Sequence, residues 1–270
     1  MICFPNAKIN LGLNVVAKRP DGYHNIETIF YPVPLKDALE VVEADVFSFN
    51  QTGIPIDAPV EKNLVVKAMN LIKEKFHLPV LQVHLLKAIP FGAGLGGGSS
   101  DAAFMLKLVN DFAGLDIPVE ELEEMASSIG ADCPFFIRNK PVFASGTGNV
   151  FETIDLSLKD YYICIIKPDI VVSTPEAYAN VTPCMPDTSL KDIIRKPVRE
   201  WKNVMVNDFE KSVFQKYPTI GKLKQSLYNE GAVYASMSGS GSSVFGLFEQ
   251  PVDNVKKVFP SCFVWQGQLS

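Results

Sequence analysis

The densest run of chemically informative residues is Pro90-Phe91-Gly92-Ala93-Gly94-Leu95-Gly96-Gly97-Gly98-Ser99-Ser100, with five glycines in the seven positions 92–98. Glycine costs about 1 kcal/mol relative to alanine inside a helix, so the run reads as a loop. The apolar spacing of 101–112 predicts a helix directly after it. A glycine-rich loop ending at a helix N-terminus offers backbone N–H groups and the positive end of the helix dipole to an anion. Ser99 and Ser100 add hydroxyls that can cap the helix, bind phosphate or reach a metal. A plain strand–helix connection would need only two or three glycines.

Two familiar phosphate motifs nearly fit. Gly92-x-Gly94-x-x-Gly97 matches the dinucleotide fingerprint, which also requires a second strand ending in an acid about 20 positions on. Asp116 lies at that distance, but the helical pattern of 101–112 is followed by another helix. Gly92-x-x-x-x-Gly97 begins like a P-loop, yet Gly98 stands where that loop carries its lysine. Both readings fail on their own context.

The elements that must hold this loop can be read around it. Alternation predicts strands over 8–16, 26–31 and 38–42, with a turn at Pro20-Asp21-Gly22. Residues 63–76 have helical spacing, and 80–86 form a β-rich run that stops before Pro90. A helix is expected over 120–129 and an apolar strand over 161–167. The charged stretch 187–199 reads as a connecting or mobile segment. A helix at 220–229 precedes a strand, a Gly/Ser turn and a second strand over 232–248. These patterns alone give a mixed α and β chain, with a division between 1–155 and 156–270.

Composition excludes several classes. Hydrophobic residues at 47% and charged residues at 20% describe a globular chain, and a net charge of −5 lacks the basic footprint of a nucleic-acid binder. The five cysteines have no CxxC spacing and the three histidines no paired-ligand pattern, so no protein-held metal site is expected. No apolar run approaches the roughly 18 residues of a membrane span. Asn6, Lys8 and Asn10 interrupt what a signal peptide would need, so a cytoplasmic protein is expected.

The block from Pro90 through Gly94-Leu95-Gly96-Gly97-Gly98-Ser99-Ser100-Asp101-Ala102-Ala103 closely resembles the phosphate loop of the galactokinase, homoserine kinase, mevalonate kinase and phosphomevalonate kinase (GHMP) superfamily. Pro5-Asn6-Ala7-Lys8-Ile9-Asn10-Leu11-Gly12 resembles its N-terminal motif. Met237-Ser238-Gly239-Ser240-Gly241-Ser242-Ser243 resembles its C-terminal one. Two departures stand out: Asn149 follows Gly146-Thr147-Gly148 where an acid is usual, and Ser242 replaces a common proline. Within the family, residues 19–28 and 130–136 resemble the branch whose acceptor is a cytidine diphosphate-linked sugar alcohol. A kinase for mevalonate, a sugar or homoserine is the alternative.

The resemblance implies an α+β GHMP kinase fold, with an N-terminal ribosomal-protein-S5-like domain, a C-terminal ferredoxin-like domain and a site between them. It implies ATP with Mg²⁺, a bacterial non-mevalonate route to isopentenyl diphosphate, no nucleic acid or membrane partner, and a monomer or weak homodimer. Catalysis would fall to Lys8 and Asp132: the carboxylate can take the hydroxyl proton, and the ammonium can stabilise the transferring group. Pro90, Gly92, Gly94, Leu95, Gly96, Gly97, Gly98, Ser99 and Ser100 would hold the phosphates, with Asn63 and Leu64 near adenine. The acceptor would meet Asn10, Tyr23, His24, Thr174, Tyr178, Gly239 and Ser240. Tyr23 and His24 suit stacking on and hydrogen-bonding a cytosine, with Tyr178 closing the other face.

Overall fold

The computed structural model describes residues 1–55 and 59–270. Two compact units interleave along the chain: Met1–Ala7, Leu35–Phe91 and Gly96–Lys140 form one, and Lys8–Pro34, Gly92–Leu95 and Pro141–Ser270 the other. The sequence reading placed a single division at 155–156 instead.

The first unit carries a four-stranded sheet in the order Ile2–Cys3, Ala38–Glu43, Leu81–Lys87, Ser48–Gly53. Leu81–Lys87 pairs antiparallel with Ala38–Glu43 and parallel with Ser48–Gly53. A parallel pair needs a crossover, and helix Leu64–Lys75 lies between these two strands in the chain. That helix starts where the Asn63 side chain accepts the Val65 N–H at 2.9 Å. It buries Val65, Val66, Ala68, Met69 and Ile72, a stripe at helical spacing. Along Leu81–Lys87 the buried side chains are Leu81, Val83, Leu85 and Lys87, so the strand's period of two carries a lysine inward. Helices Gly97–Ala113 and Val119–Ile129 complete the layer, the first burying Ala102, Ala103, Met105, Leu106 and Val109.

The second unit holds two sheets. In one, Asn6–Lys18, His24–Lys36, Val142–Ser145 and Val150–Thr153 are neighbours in that order. His24–Lys36 outruns the expected strand at 26–31 because Pro32 and Pro34 fall beyond the Thr28–Phe30 stretch that pairs with Val142–Ala144. Their missing N–H groups therefore cost that ladder nothing. The other sheet is antiparallel, in the order Tyr234–Met237, Val244–Phe248, Tyr162–Pro168, Cys262–Gln268. With helices Pro218–Asn229 and Val255–Val258 between strands, the connectivity is β-α-β-β-α-β and the strand order 4-1-3-2, the ferredoxin-like arrangement expected. Ile166, Phe209, Val213, Ile220, Leu227 and Val244 share its core. Burying each such side chain contributes about 1.5–3 kcal/mol.

The segment 187–199 is more structured than a connector. Ser189 caps a short helix, Leu190–Ile193, and Leu190, Ile193 and Val198 are buried. Four apolar anchors among the charges, counting Trp201 just beyond, hold it in place.

Tyr31, 1% exposed, ties distant segments of the second unit: its hydroxyl accepts the Leu158 N–H at 2.9 Å and donates to the Ser270 carbonyl. Tyr31→Phe strands the buried Leu158 N–H, and denaturant unfolding is expected to show a loss of about 1–3 kcal/mol. An unchanged midpoint and slope would contradict this role.

Candidate active site

The strand Asn6–Lys18 is buried along almost its whole length, and its polar side chains are buried with it. Lys8 and Asn10, two apart, share one face. Lys8 is 3% exposed, and desolvating an ammonium is costly unless it is bonded. Its Nζ donates to Asn10 Oδ1 at 2.6 Å and lies 4.7 Å from the centre of the Phe30 ring. Because lysine only donates, Asn10 must turn its carbonyl oxygen toward it. The Asn10 amide then donates to Thr28 Oγ1 at 3.0 Å, and Thr28 passes its own proton to the Gly12 carbonyl at 2.5 Å. This chain orients Lys8.

Ser238, in the Gly/Ser turn, links the same strand to the glycine loop. Its Oγ accepts the Asn10 N–H at 3.2 Å and donates to the Gly94 carbonyl at 2.8 Å. The Lys8 N–H reaches the Leu95 carbonyl at 2.9 Å, and the Ser243 N–H reaches Ala93. Gly94 has a φ of 74°, and a Cβ there would overlap the Ser238 carbonyl. Asn207 braces the Gly/Ser turn from behind, donating to the Met237 carbonyl at 2.8 Å and the Gly239 carbonyl at 2.9 Å. Its neighbour Asp208 accepts the Val15 N–H at 2.7 Å, and burial raises that carboxyl's pKa. Ser242, in place of the common proline, donates to the Ile170 carbonyl at 2.5 Å. Asn149, in place of the usual acid, still supplies an acceptor, to the Thr147 N–H and hydroxyl.

Gly92, Gly94 and Gly96 all have left-handed φ values, a glycine at every second residue. Such alternation turns N–H groups into an anion-binding concavity. Gly96 is the N-cap of helix Gly97–Ala113 and has no side chain to cap with, so the first-turn N–H groups are offered to a ligand. Gly97 leaves no room for a Cβ beside Ile89. Pro90 is buried at the loop's entrance. Ser99 is hydrogen-bonded to the Cys133 thiol, whose pKa burial pushes up to about 11. Ser100 Oγ is buried and has no hydrogen-bond partner among the described residues.

Asp132 sits half-buried in the turn closed by the Cys133 N–H to Gly130 bond, ahead of the buried Phe135 and Phe136. Asn63 serves as a helix cap, and Leu64 approaches Gly98. Tyr23 is 67% exposed on a turn held by Arg19 and Asp21. His24 does not stand across a slot from Tyr178: the rings stack on each other, 4.8 Å apart and 18° from parallel. Thr174 opens the five-residue helix that ends at Tyr178. Gly239 packs 3.3 Å from Asn10 Oδ1 when given a Cβ, with Ser240 next to it in the turn. Thr28, Ser238 and Asn207 escaped sequence reasoning as working parts; the first two lay in quoted motifs, and only the distant partners of all three reveal what they do.

Residues 63–140 match the family described as GHMP kinases N terminal domain, and 189–264 match GHMP kinases C terminal. The chain is 70% identical to the 4-diphosphocytidyl-2-C-methyl-D-erythritol kinase of Parabacteroides distasonis over 271 residues, the full length of both. It is 56% identical to the enzyme of that name from Bacteroides fragilis, again covering both chains. A crystal structure of 4-(cytidine 5'-diphospho)-2C-methyl-D-erythritol kinase superposes with a TM-score of 0.87 at 30% identity, covering 100% of this chain and 99% of that one. The mevalonate kinase of Methanococcus jannaschii shares the fold, with a TM-score of 0.73 at 14% identity.

The Gly94 contact generates a direct test. Gly94→Ala forces the loop off the Ser238 carbonyl and makes a left-handed alanine. Calorimetry is expected to show at least about a tenfold weaker ATP dissociation constant in a folded variant. Wild-type ATP affinity would place the phosphates elsewhere.

Proposed function

The chain belongs to the 4-diphosphocytidyl-2-C-methyl-D-erythritol kinase family of GHMP kinases, and from that premise we propose which of its residues carry the phosphoryl transfer. The reaction is ATP-dependent phosphorylation of the 2-hydroxyl of 4-diphosphocytidyl-2-C-methyl-D-erythritol, a step toward isopentenyl diphosphate. The observation that carries the residue assignment is the buried, oriented ammonium of Lys8, whose own backbone N–H is bonded to Leu95 of the glycine loop.

Phosphoryl transfer asks the protein for positioning and for charge to meet the transferring group. The N–H groups at 96–99 hold the phosphates at the helix N-terminus. Asp132 accepts the proton of the attacking 2-hydroxyl as the new O–P bond forms and the γ-phosphoryl leaves ADP. Lys8 stabilises the developing charge, held in direction by Asn10 and Thr28. The hydroxyl oxygens of Ser99 and Ser100 suit a hard cation, and the buried Ser100 Oγ lacks any other partner among the described residues. Mg²⁺ held by these serines would supply positive charge to offset that of the phosphates.

The base of the acceptor is read by Tyr23, His24 and Tyr178, with Thr174, Gly239 and Ser240 nearby in sequence motifs. Since Tyr178 rests on His24, the base either parts the two rings or stacks on an outer face. We retain 155–156 as the boundary between the two family domains, because the matched segments fall on either side of it. A cytoplasmic monomer or weak homodimer completes the reading.

ATP consumption against a panel of acceptors tests the reaction: the cytidine diphosphate-linked sugar alcohol should be phosphorylated, and mevalonate, homoserine and galactose should not. Equal turnover of the sugar alcohol without its cytidine would remove the base-reading role. Asp132→Asn keeps the shape and removes the proton acceptor. Its kcat is expected to fall about 10²–10⁴-fold with both KM values nearly unchanged. A variant within about threefold of wild type would exclude general-base catalysis here and leave positioning and Lys8 to carry the step.

A further inference from the structure

Apart from the residues assigned above, the first unit buries a charged cluster that the reaction does not use. Lys87, Asp37 and Asp101 are 3%, 1% and 2% exposed. Lys87 Nζ donates to Asp101 Oδ2 at 2.6 Å and, in a short bond, to Asp37 Oδ2. Asp37 Oδ1 accepts the Ala88 N–H at 2.6 Å and the Ile89 N–H at 2.8 Å, where strand Leu81–Lys87 turns toward the glycine loop. Asp101 lies in the second turn of helix Gly97–Ala113. Its Oδ1 has no hydrogen-bond partner among the described residues, so Lys87 is the donor that aims this carboxylate.

The cluster reaches the loop at one point. A Cβ on Gly97 would lie 2.8 Å from Ile89 Cγ2 and 3.3 Å from Lys87 Nζ. The ammonium and the Ile89 side chain thus floor the first helical turn, and both are set by Asp37. We propose that Lys87, held between Asp37 and Asp101, is a positioning residue for nucleotide binding, fixing where the N–H groups of 97–99 point relative to the strand that precedes them. This rests on the assignment of the ATP phosphates to that turn.

Energetics favours a role in direction over one in stability. Three apolar side chains of similar volume commonly hold a fold as well as a buried ion cluster does. One ammonium facing two carboxylates is charge-unbalanced: burial raises the pKa of Asp101, Lys87 lowers it and Asp37 raises it again. Ion-pair hydrogen bonds, however, admit one geometry where packed methyls tolerate several. A loop that must hold N–H groups to a fraction of an ångström gains from the first kind of contact.

The test uses the full chain and compares two variants with wild type at a temperature where each is folded by circular dichroism. Lys87→Met combined with Asp101→Leu replaces the aimed pair by packing and leaves Asp37 on its two N–H groups. Its KM for ATP is expected to rise at least about tenfold, with the acceptor KM within about twofold of wild type. Asp101→Asn keeps an acceptor for Lys87, and its KM for ATP should return to within about threefold of wild type. A folded double variant with wild-type ATP KM would overturn the proposal, and so would a double variant that fails to fold, since the cluster would then serve stability. Failure of Asp101→Asn to do better than the double variant would also contradict it. Wild-type protein that does not bind ATP in calorimetry would sink the phosphate-loop assignment itself, which separates the two claims.

Discussion

The site depends on one close approach, the Gly94 backbone lying against the Ser238 carbonyl with no space for a side chain. Through it a single serine serves three segments: its hydroxyl takes the Asn10 N–H and gives its proton to the Gly94 carbonyl. The N-terminal strand, the loop at 92–95 and the Gly/Ser turn at 238–243 are thereby held at fixed distances in the second unit. Asn207 extends the arrangement by donating to the two carbonyls that flank Ser238.

A buried lysine is the second consequence. An ammonium at 3% exposure is destabilising unless each proton finds an acceptor, and the Asn10–Thr28–Gly12 relay provides a directed one. The relay consists of neutral groups. The second buried lysine, Lys87, is bonded to two carboxylates, Asp37 and Asp101.

The glycine loop, the helix after it, and the strands and helices on either side were legible in the sequence because their signals are local: glycine density and apolar period. The ferredoxin-like connectivity came from resemblance, and the strand order bears it out. What could not be read were roles set by partners far along the chain. Thr28 works through Asn10 and Gly12, Asn207 through carbonyls thirty or so residues on, and Asp37 through Lys87, fifty residues away. The segment 187–199 misled because its charges outnumber the few apolar residues that anchor it, and burial is decided by those few. The stacking of Tyr178 on His24 likewise has no trace in spacing, since the rings are brought together by the packing of Tyr178 on Phe209.

Binding of the ATP phosphates by the backbone N–H groups of 96–99 is the central proposal. Backbone amide resonances of ¹⁵N-labelled protein titrated with Mg²⁺–ADP and, separately, with the cytidine diphosphate-linked acceptor test it most directly. The account predicts large, saturable shifts of the Gly97, Gly98 and Ser99 amides with the adenine nucleotide, at concentrations where the acceptor leaves them unmoved. Amides at 96–99 that stay in place while ADP saturates resonances elsewhere would contradict it.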